Sequence, residues 1–146
     1  MATSFKGELL NAYHNFSATN PARTINTADS FKAALYLASA TVNATTTAYT
    51  VTGEVTGTNY TAGGVAITSW NAPTTSGTTG YTTPTASITY TNVTLSTAFD
   101  AVLIYNNTQG NRAVSVHTFG SQTVTAGTFT LTMPTNDATN ALIRLA

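Results

Sequence analysis

Apolar residues recur along this chain mostly at every second position, and the pattern is clearest between Asp100 and Pro134. That stretch predicts a three-stranded β-meander. Ala101-Val102-Leu103-Ile104-Tyr105 is apolar throughout, as expected of a strand covered on both faces. Asn106 to Asn111 gathers residues that tolerate positive φ or bond their own backbone, so the chain reverses there. Arg112 to Thr118 forms the second strand, with Val114 and Val116 on one face. In the third, Phe129, Leu131 and Met133 alternate with Thr128, Thr130 and Thr132, which gives one core face and one face for solvent or a partner. Pro134 ends the run. The expected core therefore includes Leu103, Tyr105, Val114, Val116, Phe129 and Leu131.

Helical spacing is best from Ser4 to Phe16, where Phe5, Leu9, Ala12, Tyr13 and Phe16 recur at intervals of three and four. Ser4 or Thr3 caps its start, and Asn20-Pro21 marks the exit. Residues 1–20 are thus expected as a short N-terminal helix or arm, packed on its own sheet or docked on a neighbouring subunit. Phe31 to Leu37 keeps a period of two and predicts a strand. Asn43 to Thr47 reads as a polar loop, Ala48 to Val51 as a short strand, Val65 to Trp70 as strand-like, and Asn71 to Pro84 as an exposed loop rich in Thr, Ser, Gly and Pro. Ile88 and Tyr90 alternate with hydroxyls in another half-buried strand, and Val93 and Leu95 lead on. The apolar run Ala141 to Ala146 completes a sheet. Seven or eight short strands separated by turns predict an all-β fold, an antiparallel β-sandwich of jelly-roll-like or immunoglobulin-like type, in a single domain over residues 1–146.

Composition changes this picture in one respect. Charged residues make up only 7% of the chain, against the usual quarter or so. Thr, close to a quarter of the sequence, supplies the surface instead, since it favours pleated strands and leaves a hydroxyl outside. Such neutral faces carry few charged gatekeepers against sheet-edge association, and suit a protein that works assembled. Five basic and five acidic residues balance to zero net charge, which argues against phosphate-driven nucleic-acid binding. Cys is absent, so the fold holds without disulfides or thiolate metal sites. No apolar run approaches a membrane span, and the start of the chain lacks the long apolar core of a signal peptide, so we expect a protein made and used without secretion.

Candidate chemistry is sparse. The Gly-containing loop Glu54 to Gly64 holds no Lys and precedes a strand instead of a helix, so a structural turn or a subunit-contact loop is expected over a phosphate cradle. His14 and His117 have no ligand spacing around them. Ser115, His117 and Asp100 form a conceivable nucleophilic arrangement, yet no nucleophile-elbow glycine pattern surrounds them. We expect no enzyme, no cofactor and no metal. Phe5, Leu9, Tyr13, Tyr60, Trp70 and Tyr81 are the candidate subunit or partner contacts.

Ser30-Phe31-Lys32-Ala33-Ala34-Leu35-Tyr36, the loop Glu54 to Gly64, Ala101-Val102-Leu103-Ile104-Tyr105-Asn106 and the tail Asn140 to Ala146 together resemble a family of small virion structural proteins of tailed bacteriophages. Trp70 to Asn92 departs from the aromatic, Asp-containing segment of many members. The resemblance implies a virion protein made in the host cytoplasm, and the composition within that setting points to a capsid decoration or cement protein. It implies a major capsid protein as partner and a homo-oligomer, a dimer or trimer, with neither nucleic acid nor membrane as partner. The alternatives are a tail or neck accessory protein and a carbohydrate-binding adhesin domain. An exposed aromatic platform at Trp70 and Tyr81 is what the last would need.

Overall fold

The computed structural model describes residues 1–3, 5, 9, 13–16 and 28–146. Seven strands are formed: β1 (Phe31–Leu37), β2 (Val65–Ile67), β3 (Thr74–Ser76), β4 (Thr79–Thr82), β5 (Ile88–Asn106), β6 (Arg112–Leu131) and β7 (Ile143–Leu145). They build a four-stranded sheet in the order β2-β1-β5-β6 and a three-stranded sheet in the order β3-β4-β7. Every pairing is antiparallel. The fold is all-β.

The expected meander is instead one long hairpin. β5 and β6 run for 19 and 20 residues, and the region around Gly120, which reads as a break between two strands, stays extended with Gln122 opposite Phe99. Register shifts between Tyr90 and Ala101 absorb the irregularity, and Ala126 sits at φ 43 beside them. Bulges thus do the work assigned to a turn, because an extra residue on one strand bends a ladder without reversing it. The reversal at Asn107 to Asn111 is present, with Gly110 and Asn111 at positive φ.

Two further segments differ from the sequence expectation. Asn71 to Pro84, read as a loop, contains the β3–β4 hairpin, whose turn uses Gly77 at φ 58; a strand made of Thr and Gly lacks the apolar period that reveals strands. Ala48 makes one bridge to Arg112 and Val51 lies in the following turn, so no strand forms there. The expected helix over Ser4 to Phe16 falls largely outside the described residues. Thr3, Phe5 and Leu9 have helical backbone while Tyr13 to Phe16 do not, so the helix does not reach Phe16.

Both faces of β1 and of the second half of β5 are buried. Alternation places Tyr36, Leu103 and Tyr105 on one face and Phe31, Ile104 and Asn106 on the other. The first lies under the segment Tyr49 to Gly64; the second carries an aromatic cluster in which Phe31 stacks on Phe16 at 4.7 Å and Trp70 meets both rings edge-on. Leu103, Tyr105 and Val114 are buried as expected. Val116, Phe129 and Leu131 are only partly so, because β6 is the last strand of its sheet and has a neighbour on one side alone.

Phe99, not Phe129, is the enclosed ring of this region. It is 0% exposed, with Phe129 edge-on at 5.0 Å and Phe119 at 6.0 Å. Phe99→Ala is expected to cost about 3–5 kcal/mol and Phe129→Ala about 1.5–2.5 kcal/mol, in proportion to the apolar surface each removes from cover. Urea unfolding of the two variants checks the order; equal losses would place Phe129 as deep as Phe99.

Candidate interaction surface

Glu54 is the residue that fixes the first face. Its segment lies along the outer edge of β1, where Leu37 N–H donates to the Gly53 carbonyl and Val55 N–H to that of Leu35. This points the carboxylate into a ring of donors. Tyr49 Oη–H donates to Oε2 at 2.7 Å, Tyr60 Oη–H to Oε1 at 2.7 Å, and Gly63 N–H to Oε1 at 2.8 Å. Tyr105 Oη–H closes the ring by donating to the Gly63 carbonyl at 2.8 Å. Tyr49 stacks on Tyr105 and Tyr60 on Tyr90. Burial, with the Glu54 charge adding to it, raises the pKa of Tyr49, Tyr60, Tyr90 and Tyr105, the last to about 12.

Close approach completes the seat. Gly64 sits at φ +69, and a Cβ there would fall on the Ala33 carbonyl; at Gly57 it would fall on that of Thr94. Only glycine lets the loop lie this tightly on β1 and β5. The loop Glu54 to Gly64 is thus a structural clamp on its own sheet. Sequence reading passed over Glu54, and one signal was there: it is the sole acid between Lys32 and Asp100, and a lone charge amid Thr, Val and Gly needs partners.

A second polar anchor holds the other face. Asn106, 0% exposed, donates through Nδ2 to Asp29 Oδ2 at 2.8 Å and lies 3.1 Å from His14 Nδ1. Its Oδ1 accepts from the backbone of Thr108 and Gln109, which shapes the β5–β6 turn. Asp29 also accepts from Asn15 N–H. The short segment Tyr13 to Phe16 is thereby tied to the end of the hairpin.

The six residues expected to make contacts are divided among these features. Tyr60 belongs to the Glu54 ring and also accepts the Leu35 N–H, so it holds the fold together at this face. Phe5 is 0% exposed and packs on His14. Trp70 is half-buried against Phe16 and Phe31. Tyr13 is 40% exposed, with the Arg112 guanidinium 4.4 Å above its ring. Phe5, Leu9 and half-buried Tyr81 come together on an apolar cleft of about 460 Å³ whose far wall is Ile143 and Leu145 of β7.

Ser115 and His117 are brought together, with Oγ and Nε2 at 3.0 Å. Ser115 is 1% exposed, so its hydroxyl faces no substrate, and no hydrogen bond joins Asp100 to His117 among the described residues. Burial, reinforced by the N-terminal amine, lowers the His117 pKa. No group of three metal-ligating side chains occurs among the described residues, and no described helix is long and apolar enough to cross a membrane.

What remains outside is nearly free of charge. No Asp, Glu, Lys or Arg lies between Val55 and Phe99, or between Ala113 and Asn136. The charges that are described are largely engaged within the chain: Glu54 and Asp29 as above, Arg112 on Tyr13, Arg144 with the Thr139 carbonyl, and Asp137 in a turn where it accepts from Thr135, Thr139 and Asn140. The distal half of the β5–β6 hairpin therefore presents hydroxyls, small residues and half-buried rings. No protein-family model, curated protein or solved structure matches this chain.

Proposed function

We propose that this chain is a bacteriophage virion structural protein of the capsid-decoration type, which binds the assembled shell from outside and stabilises it. The observation that carries the reading is the charge-free surface of the distal half of the β5–β6 hairpin, together with the sequence resemblance to small virion proteins. A surface without like charges lets many copies crowd a lattice without repulsion. The mechanism is linkage: a protein that binds only the assembled shell adds its binding free energy to that shell, and high copy number lets modest contacts count. In this reading the two sheets are unequal layers of a β-sandwich, since Ile143 of the small sheet joins the core cluster containing Phe31. Trp70, packed against Phe16 and Phe31, and Tyr81 are both half-buried, short of the exposed aromatic platform that the adhesin alternative would need.

Particles lacking the protein, saturated with purified chain and heated, are expected to disrupt at a higher temperature than bare particles. Binding should change only a few-fold between roughly 0.05 and 0.5 M salt, because the contacts are neutral. An unchanged disruption temperature, or protein located only at the tail by labelling, would sink the decoration reading and leave the tail accessory in its place.

A further inference from the structure

The small sheet turns one face towards Phe5, Leu9 and Phe16, and the space between them is the cleft of about 460 Å³. Register shows how that face is built. Thr82 stands opposite Ile143 in one cross-strand row, and Thr75, Gly80 and Leu145 stand abreast in the next. Directly paired residues share a face, and all five line the cleft. Thr82 and Ile143 are 3% and 4% exposed and close its inner end. Thr75 and Leu145 are exposed and form its mouth.

Gly80 lies in the middle of the mouth row, and nothing in the fold calls for glycine there. Its φ is not positive, and a Cβ built on it would meet Thr75 Cγ2 at 3.9 Å and the Leu145 carbonyl at 4.0 Å, which are ordinary contacts. Gly57 and Gly64 differ, because a Cβ on either would strike backbone. Glycine inside a strand weakens it and often marks a place where a ligand approaches closely. The missing side chain keeps the cleft open between Thr75 and Leu145.

We infer that the cleft binds one small, uncharged aromatic molecule, its ring seated over Gly80 and against Phe5 and Phe16. Size selects a whole molecule, since clefts of roughly 300–1,000 Å³ bury most of a small ligand's surface. The walls select its class. Phe5, His14, Phe16 and Tyr81 supply edges and faces for another ring. Among the described residues no Asp, Glu, Lys or Arg lines the cleft, so an ionic ligand would be buried unpaired at a cost. Arg144, between Ile143 and Leu145, belongs to the other face of β7 and donates to the Thr139 carbonyl. The hydroxyls of Thr74 and Thr75 at the mouth suit a single polar substituent. This site concerns the chain alone and does not rest on the virion reading.

The probe is 2-naphthol, its binding to the full chain measured by equilibrium dialysis at neutral pH. It should bind one to one with a dissociation constant of about 100 µM or tighter. The same ring carrying a charge, 2-naphthalenesulfonate, should bind at least about ten-fold more weakly. Gly80→Val fills the mouth row with a residue that favours strands, so the variant should keep the wild-type circular dichroism spectrum and lose at least about ten-fold in naphthol affinity. Leu145→Lys, which sets a charge at the mouth, should lose as much. Val51→Lys, at a position 67% exposed on the segment over the opposite face, should bind like wild type. No binding up to about 1 mM naphthol, a sulfonate bound as tightly, or affinity unchanged by both cleft variants would each overturn the proposal. If Gly80→Val does not fold, Leu145→Lys and the charged probe decide. A chain that ignores naphthol yet loses capsid binding with Gly80→Val would also overturn it, and would assign the cleft to a partner's side chains.

Discussion

Replacing Glu54 with Ala is expected to lower stability by about 3–6 kcal/mol, the cost of leaving one buried and two partly buried donors without an acceptor at about 1–3 kcal/mol each, less some relaxation. For a chain of this size that is a fall of roughly 10–20 °C in melting temperature. The two phenols cannot turn to water, because Tyr49 is stacked on Tyr105 and Tyr60 on Tyr90. Gly63 N–H is held in place as well: the peptide that follows it is fixed by Tyr105 Oη on the Gly63 carbonyl and by the tight approach of Gly64 to Ala33. Loss of the carboxylate also loosens Tyr60, which accepts the Leu35 N–H of β1, so the damage reaches the sheet. Glu54→Gln keeps one acceptor oxygen but aims an NH₂ at donors, and should fall between wild type and Ala. Urea titration of the three proteins is the measurement. A loss under about 1 kcal/mol for the Ala variant would mean that water reaches the ring and that Glu54 is not its centre.

The contrast between what could be read and what could not follows from chemistry at particular residues. β1, the second half of β5 and β7 were legible because Phe31 to Leu37, Ala101 to Tyr105 and Ala141 to Leu145 are apolar where the sheet buries them, and burial leaves a periodic mark. β3 and β4 left none, since β3 is exposed throughout and the buried side chain of β4, Thr82, is polar. The long hairpin was mistaken for a meander because glycine and hydroxyl residues near Gly120 signal a turn and a bulge alike. The contact residues were chosen as aromatics in polar surroundings, and that criterion cannot tell a ring that meets a partner from one that meets its own chain. Tyr60 shows this most clearly. Its partner, Glu54, lies six residues upstream, and the pairing exists only because the loop folds back over β1. The outer edge of β6 was invisible for another reason: a strand's place at the end of a sheet depends on topology, which no local pattern encodes.

Alkaline unfolding is the second large effect, and it begins above pH 10. Tyr36, Tyr49, Tyr60, Tyr90 and Tyr105 all have pKa values raised above 10.0, chiefly because burial disfavours the phenolate and because the Glu54 charge opposes it. A raised folded pKa means that the folded protein holds its proton more tightly than the unfolded chain. Below pH 10 both states are protonated and the full stability is present. As pH climbs past 10 the unfolded chain ionises first, and stability drains away until the folded groups follow, for Tyr105 at about 12. Tyr90 and Tyr105 are each 2% exposed, so each removes about 1.4 kcal/mol per pH unit in that window. The two alone take about 5 kcal/mol by pH 12, comparable with the whole stability of an ordinary domain. Unfolding free energy measured from pH 8 to pH 12 should therefore be flat to pH 10 and fall steeply beyond it, with tyrosinate absorbance rising in step with loss of structure. Smooth ionisation of all seven tyrosines near pH 10 with the β spectrum intact would show that the phenols around Glu54 are open to solvent.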